Sequence, residues 1–332
     1  MNISICITVK DEEGGIGALL DSLFVQTKKA DEIVIVDGGS TDRTIEIIRH
    51  YQKKNKQSLA TSGGKEIRLL IEKGGIAHGR NTAIEIAKYP IIVQVDAGCI
   101  AKPNWLEKLV RPFELTYLGG DLRPPSEEYQ TGVGVSAGFY EMPANSSLQK
   151  AMNLYLGVHP KRFNPSTFLP SARSVAFKTH IWEKIGGYDE RLEKGGEDTK
   201  FFISCVKNQI RIARVGDARV IWEETKYFTL KDFFWKIFNY AKGDAKTKIW
   251  IYPISGIMSH NIKILFVFLR YFVALFLLFI PVILVILVLL YLLYSVWKFR
   301  DICRSWQVRV WLPVVQIVSD IAVMLGFLYG IF

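Results

Sequence analysis

Ile33-Val34-Ile35-Val36-Asp37-Gly38-Gly39-Ser40-Thr41-Asp42 is the stretch that decides how this chain folds. Four apolar residues, all of them β-branched, run into an aspartate and two glycines. That reads as a strand buried on both sides that stops at a tight turn. The pattern returns in Ile91-Ile92-Val93-Gln94-Val95-Asp96-Ala97-Gly98. Strands of this kind belong to parallel sheets, and in open α/β sheets ligands bind outside the carboxyl ends of the strands. Two carboxylates at that edge suit a polar, phosphorylated ligand held through a cation.

Working outward, strands and helices alternate. Ile3–Val9 is a strand, and Ile16–Gln26 carries apolar residues at helical spacing. The reading continues with a helix over Thr44–Lys53, a turn at Gly63-Gly64, a strand over Ile67–Ile71, and helices over Asn81–Lys88 and Trp105–Leu118. Repeated β-α units imply a parallel sheet with right-handed crossovers. Beyond that, Gly132–Tyr140 reads as a strand, Ser146–Leu156 as a helix, and Phe168–Phe177 as a loop entering a strand. A short helix at Ile181–Ile185 stops at Gly186-Gly187, and Glu197-Asp198 opens a helix over Thr199–Lys207.

The C-terminal part has a different character. Leu230, Phe233, Phe234, Ile237, Phe238 and Ala241 share one helical face, with lysines elsewhere and following. This fits either a core-facing helix or one lying in a membrane interface. Tyr271–Trp297 is 27 residues without a charge, and Val310–Phe332 is 23 residues with the single acid Asp320. Both are long enough to cross a bilayer. Asp320 is expected to face protein, because a carboxylate at mid-membrane is costly. The expected organisation is a catalytic domain over 1–228, an interfacial helix and linker over 229–263, and a membrane region over 264–332 with spans of about 271–297 and 310–332. Two simple spans put the linker Lys298–Arg309, with four basic residues and one acid, outside the cell, against the positive-inside rule. A fold-back at Pro281 is the alternative that keeps it inside.

The net charge of +10, of which residues 251–332 supply +4, suits an anionic membrane surface or substrate. No motif of a nucleic-acid module is present, so nucleic acid is not an expected partner. The four cysteines, Cys6, Cys99, Cys205 and Cys303, have no CxxC spacing, which points away from a zinc site or a disulfide framework. The apolar run at the N-terminus has no basic residue before it and reads as the first strand rather than a signal peptide.

Four clusters carry chemistry. Asp37 can accept hydrogen bonds from a base or ribose, while Asp42 either caps the following helix or contacts ligand. Gly74-Gly75-Ile76-Ala77-His78-Gly79-Arg80-Asn81 combines glycines, a helix start and Arg80 into an anion site. Asp96 suits a cation bridging to a diphosphate, since magnesium is commonly held by one or two carboxylates plus phosphates. Glu197-Asp198 is either a favourable helix start or a source of a general base.

In this order, these pieces resemble glycosyltransferase family 2, the inverting transferases of the GT-A fold. The resemblance covers roughly residues 1–250 and is most specific at Asp96-Ala97-Gly98-Cys99 and Pro103-Asn104-Trp105-Leu106. It implies an α/β, Rossmann-like GT-A catalytic domain with a mostly parallel sheet, followed by transmembrane helices. It implies that Thr8, Val9 and Glu12 line the nucleotide pocket, that Asp37 reads the base with Gly39 and Ser40 alongside, and that Arg80 helps hold the diphosphate. Asp96 corresponds to the first aspartate of the metal-binding Asp-x-Asp motif, and Asp198, paired with Glu197, to the general base. Trp182, Gly187 and Tyr188 correspond to the donor-sugar and acceptor region.

Two departures follow. Position 98 is glycine, so the implied magnesium or manganese needs another ligand or water. Nothing matches the Gln-x-x-Arg-Trp motif of processive synthases. The nearest segment is Tyr240-Ala241-Lys242-Gly243-Asp244, which favours transfer of a single sugar, with Lys242 available to the diphosphate. The implied enzyme is a multi-pass cell-membrane hexosyltransferase with a cytoplasmic catalytic domain, a nucleoside-diphosphate sugar donor and a lipid-linked acceptor. Its membrane helices offer a surface to a second copy. The alternatives are a polyprenyl-phosphate glycosyl synthase, in which the lipid phosphate is the nucleophile, and a sugar nucleotidyltransferase.

Overall fold

The computed structural model describes residues 1–62, 66–117, 132–192, 194–254 and 258–332; the expected Gly63-Gly64 turn lies outside them. The chain divides into two compact units. The first comprises 1–141, 164–193 and 197–224, and the second 142–163, 194–196 and 225–332.

The first unit is built on one eight-stranded sheet. In chain order its elements are β1 (Ile3–Val9), α1 (Ile16–Phe24), β2 (Glu32–Asp37), α2 (Thr44–Ser62), β3 (Glu66–Ile71), α3 (Ile76–Glu85), β4 (Ile91–Gln94), β5 (Cys99–Ala101), α4 (Trp105–Tyr117) and β6 (Val135–Glu141). The chain leaves this unit through α5 (Ser147–Leu156) and returns for β7 (Val175–Lys178), α6 (Thr179–Ile185), α7 (Glu197–Lys207) and β8 (Ile212–Trp222). Strand order is β3-β2-β1-β4-β7-β6-β8-β5. The half formed by β1 to β4 is parallel throughout. The other half is mixed, with β7 antiparallel to β4 and β6, and β5 antiparallel to β8. The apolar runs behave as buried strands must: every residue of β2 and β4 is buried.

Sequence and structure differ in three places here. Helix α3 begins at Ile76, not Asn81, so Arg80 sits on a helix rather than in a loop. The reason is Gly79: a Cβ there would lie 2.3 Å from Thr8 Cγ2, so only glycine lets α3 press against β1. Strands β5 and β8 were not legible, because β5 is three residues long and β8 interrupts its apolar residues with arginines, a glycine and an aspartate. The sheet is parallel throughout its first half and mixed in its second, where β6 and β8 are parallel but β7 and β5 run antiparallel to their neighbours.

The second unit is helical: α5, α8 (Leu230–Thr247), α9 (His260–Phe276), α10 (Pro281–Trp297) and α11 (Trp306–Ile331). Helix α8 starts with a capping box between Thr229 and Asp232. Its apolar residues Phe233, Ile237, Ala241 and Ala245 are buried, and Ala241 and Ala245 pack with Ile264 and Phe327, so protein covers at least part of the stripe. Gly326 and Gly330 of α11 let the two backbones meet; a Cβ on either would lie 2.2 Å from Phe238 O or 2.5 Å from Lys242 O. Two helical segments, His260–Phe279 and Trp306–Ile331, are long and apolar enough to cross a membrane. The single helix expected over 271–297 is instead two helices joined by a 3₁₀ turn at Leu277–Phe279. Pro281 stands at the first position of α10, where its missing N–H leaves no intrahelical bond unmade and its fixed φ suits a new helix start. Asp320 is 3% exposed and faces protein, as expected.

Candidate active site

The carboxyl ends of β1, β2 and β4, together with the start of α7, gather the expected residues of the first unit. At the β2 end, Asp37 is fully buried. Its Oδ1 accepts from the backbone N–H groups of Gly39 (2.9 Å) and Ser40 (2.8 Å), and its Oδ2 accepts from Ser40 Oγ (2.6 Å). Gly39 turns at φ 90°, a conformation glycine adopts without strain. An ionised carboxylate has about four acceptor positions, so three are committed to the turn and one is left for a ligand. Ser40 Oγ also accepts from Asp11 N at 2.9 Å. Thr44 Oγ1 accepts from Glu12 N at 2.8 Å and donates to Asp42 Oδ1 at 2.5 Å. Asp42 therefore fastens the start of α2 to the loop after β1. Val9 is buried, while Thr8, with its methyl against Gly79, is half-buried.

The β4 end is organised by Arg80. This side chain is 5% exposed; Nη2 donates to Asp96 Oδ1 at 2.9 Å and Nη1 donates to Glu197 Oε1. One guanidinium thus joins a carboxylate at a strand end to another at a helix start far away in sequence. Burial alone would lower the arginine's pKa, but Glu197 and then Asp96 more than reverse this, and it is raised. Beside Glu197, Asp198 is partly exposed at the first turn of α7. Its Oδ1 accepts from Thr199 N (2.7 Å), and Ala172 N lies 3.4 Å from Oδ2.

Four residues here were missed by sequence reasoning. Arg173 stacks 3.9 Å over the Trp222 ring, and its Nε lies 4.0 Å from Asp96 Oδ2, placing a second guanidinium at that carboxylate. Trp222 Nε1 donates to Glu224 Oε2 at 3.2 Å. Glu224 Oε1 lies 2.5 Å from where a Cβ on Gly98 would be. Asn81 holds the turn after α6: its Oδ1 accepts from Tyr188 N (2.8 Å) and Trp182 Nε1 (3.0 Å), and its Nδ2 donates to Tyr188 O (2.9 Å). The available signals were weak: a lone arginine among small residues, an acidic pair after an apolar strand, and an asparagine beside Arg80.

Tyr188 is 3% exposed and packs in the core, stacked on Phe201 at 4.5 Å with its hydroxyl donating to Gln94 Oε1 at 2.5 Å. Its ring lies 5.6 Å from the Arg80 guanidinium, so it supports Arg80 from below and does not present a ring to a sugar. Gly187, at φ 74°, makes the turn that brings Tyr188 to Asn81. Lys242 belongs to the second unit, where its ammonium lies 4.6 Å over Tyr329. Cys99 beside Asp96 is buried, and burial followed by the Asp96 charge raises its thiol pKa well above the ordinary range, leaving it inert.

Among the described residues no group of three or more His, Cys, Asp or Glu is arranged as a metal site. The donor set nevertheless fits a hard divalent cation shared with a diphosphate. Glu224 fills the space beside Gly98 that a longer side chain at 98 would take, so a second carboxylate reaches that place from β8.

With its parallel half-sheet and the acidic cluster at the strand ends, the first unit has a GT-A-like mixed fold. Residues 4–128 match the sequence model described as Glycosyl transferase family 2. A 99-residue stretch is 39% identical to a poly(ribitol-phosphate) beta-glucosyltransferase of Bacillus spizizenii, covering 29% of this chain and 15% of the relative. An uncharacterized glycosyltransferase of Methanocaldococcus jannaschii is 24% identical over 264 residues, covering 70% of this chain and 83% of its own length. In three dimensions, a mannosyltransferase from Pyrobaculum calidifontis, solved with GDP-Man and Mn2+, shares the fold with a TM-score of 0.53 at 19% identity, covering 74% of this chain and 62% of its own.

Proposed function

We propose that this protein is an inverting glycosyltransferase that moves a sugar from a nucleoside-diphosphate sugar to an acceptor presented at a membrane. The observation that carries this reading is the Arg80 guanidinium joining Asp96 to Glu197, which draws the strand-end acid and the Glu-Asp pair into one cluster. Thr8, Val9, Glu12, Asp37, Gly39 and Ser40 form the nucleoside side. Asp37's remaining acceptor position suits a base imide or a ribose hydroxyl. Arg80 and Arg173 supply fixed positive charge on the diphosphate side.

Asp96 and Glu224 are the residues that would hold a magnesium or manganese ion, with donor phosphates and water completing the shell. When bound, that ion offsets the charge building on the nucleoside-diphosphate leaving group. Asp198 takes the proton from the acceptor hydroxyl, whose oxygen attacks the anomeric carbon as the nucleoside diphosphate leaves.

The two membrane-length segments support a second form of the same reaction, with a lipid phosphate as the nucleophile. That group is already ionised, so Asp198 would then have no proton to take. The test is a screen of nucleotide sugars for manganese-dependent binding to the purified protein, followed by transfer into membrane lipid extracts. Sugar transfer with release of nucleoside diphosphate is expected. Release of pyrophosphate, or no transfer with any donor, would overturn the proposal. Loss of transfer in Asp198→Asn identifies a hydroxyl acceptor, and retention a phosphate acceptor.

A further inference from the structure

Helices α9 and α10 carry the longest uncharged stretch of the chain. Tyr271 and Tyr291 lie ten residues before and ten after Pro281, hence 20 apart. In one continuous helix that separation is about 30 Å. Here both hydroxyls donate to the same atom, Asp320 Oδ2, at 3.3 and 2.5 Å, and the Arg270 guanidinium lies 4.7 Å over the Tyr291 ring. The two arms are therefore antiparallel and level with each other, and the chain reverses at 277–281.

The tip of this hairpin is wholly apolar. No polar side chain occurs from Phe272 to Leu290, and Phe279 is 90% exposed. A tip emerging into water on the far side would strand that surface there. Ten residues of helix reach about 15 Å beyond the level of Asp320, half of a hydrocarbon core of about 30 Å. The turn backbone suits hydrocarbon as well: Ile280 N donates to Leu277 O at 2.9 Å, and Pro281 has no N–H to leave unpaired.

Helix α11 bears the same mark. Val310, Val314, Ile317, Ile321, Leu325 and Leu328 form an exposed apolar stripe at helical spacing, while the Gly326–Gly330 face lies against α8, which carries the exposed Lys231 and Lys246. An exposed apolar stripe opposite a face covered by a lysine-bearing helix is the pattern of a helix lying in a membrane interface.

We propose that this chain enters one leaflet only: α9 and α10 form a re-entrant hairpin whose tip at Phe279–Pro281 ends in hydrocarbon, and α11 lies in the interface. Lys263 at one end and Lys298, Arg300, Arg304 and Arg309 at the other then meet the anionic headgroups of the same leaflet, which removes the conflict with the positive-inside rule. The proposal rests on the membrane reading above.

The test uses the full chain in native membranes, where the four natural cysteines are buried. Lys54→Cys marks the catalytic unit, Arg300→Cys the linker and Phe279→Cys the tip, with Val282→Cys as a second tip variant. Each is treated with a membrane-impermeant maleimide in intact cells and in inverted vesicles. Lys54→Cys and Arg300→Cys are expected to label from the same side, and the tip from neither. Labelling of Arg300→Cys from the opposite side would overturn the hairpin, as would tip labelling from either side. A disulfide between tips of two copies would place a second chain there instead of lipid. Recovery of the chain outside the membrane fraction would overturn the membrane reading itself.

Discussion

Two aspartates stand at the ends of β2 and β4, the strands on either side of β1, and live differently. Asp37 is fully buried and commits three acceptor positions to its own turn. Asp96 is 33% exposed and is shared between Arg80 on α3 and Arg173 in the loop before β7. The first is a local device that shapes a pocket wall. The second is the meeting point of groups that only the fold brings together. Under the proposed function, base recognition falls to a preformed turn and diphosphate handling to a charged cluster shared with a cation.

The sharpest way to break this contrast is on the acceptor side of the cluster. For a hydroxyl acceptor, Asp198→Asn is expected to lower kcat by roughly 10²–10⁴-fold with donor binding retained, as measured by steady-state kinetics and calorimetry. Near-normal turnover on a hydroxyl acceptor would remove the base assignment. Arg80→Ala strips the cation from two carboxylates, one of them the buried Glu197. Breaking a buried pair this way costs about 3–5 kcal/mol, read in urea unfolding.

A designed exchange tests Glu224 more finely. Glu224→Ala should weaken manganese-dependent nucleotide binding by at least the roughly 10–100-fold that loss of an outer-shell partner costs. Gly98→Asp alone should also fail, because its Cβ would meet Glu224 Oε1 at 2.5 Å. Gly98→Asp combined with Glu224→Ala should restore binding, and failure of that pair would separate Glu224 from the cation. On the quiet side, Asp37→Ala should cost about 1–3 kcal/mol of stability and weaken nucleoside binding equally with and without metal.

The smallest effect concerns His78, whose pKa is raised first by Glu72 and then by Glu190, at 2.8 and 3.0 Å. A raised folded-state pKa gives stability that is complete below the ordinary histidine value and lost as pH rises through the raised one. His78→Gln should therefore cost under about 1 kcal/mol at pH 6 and nothing above pH 9, in thermal melts at both values.

The sequence reading went far on the Asp37 side because everything there is local: strand, aspartate, glycines and serine are consecutive. It named Asp96, Arg80 and the Glu197-Asp198 pair as separate motifs, but not the ion pairs by which Arg80 joins Asp96 to Glu197. Glu224 and Arg173 were invisible because they arrive through the pairing of β5 with β8 and through the loop before β7. Neither leaves a periodic trace. The same limit holds for residues 271–297: composition gave the length and left a single helix and a fold-back at Pro281 both open, and the shared Asp320 contact selects the fold-back.

The most direct measurement is calorimetric titration of the purified protein with UDP, GDP and dTDP and with the matching nucleosides, each with and without Mn2+. The account predicts that Mn2+ tightens binding of one diphosphate, leaves its nucleoside unaffected, and loses its effect in Asp96→Ala and Glu224→Ala. Diphosphate binding indifferent to Mn2+, or a full Mn2+ effect in either variant, would contradict it.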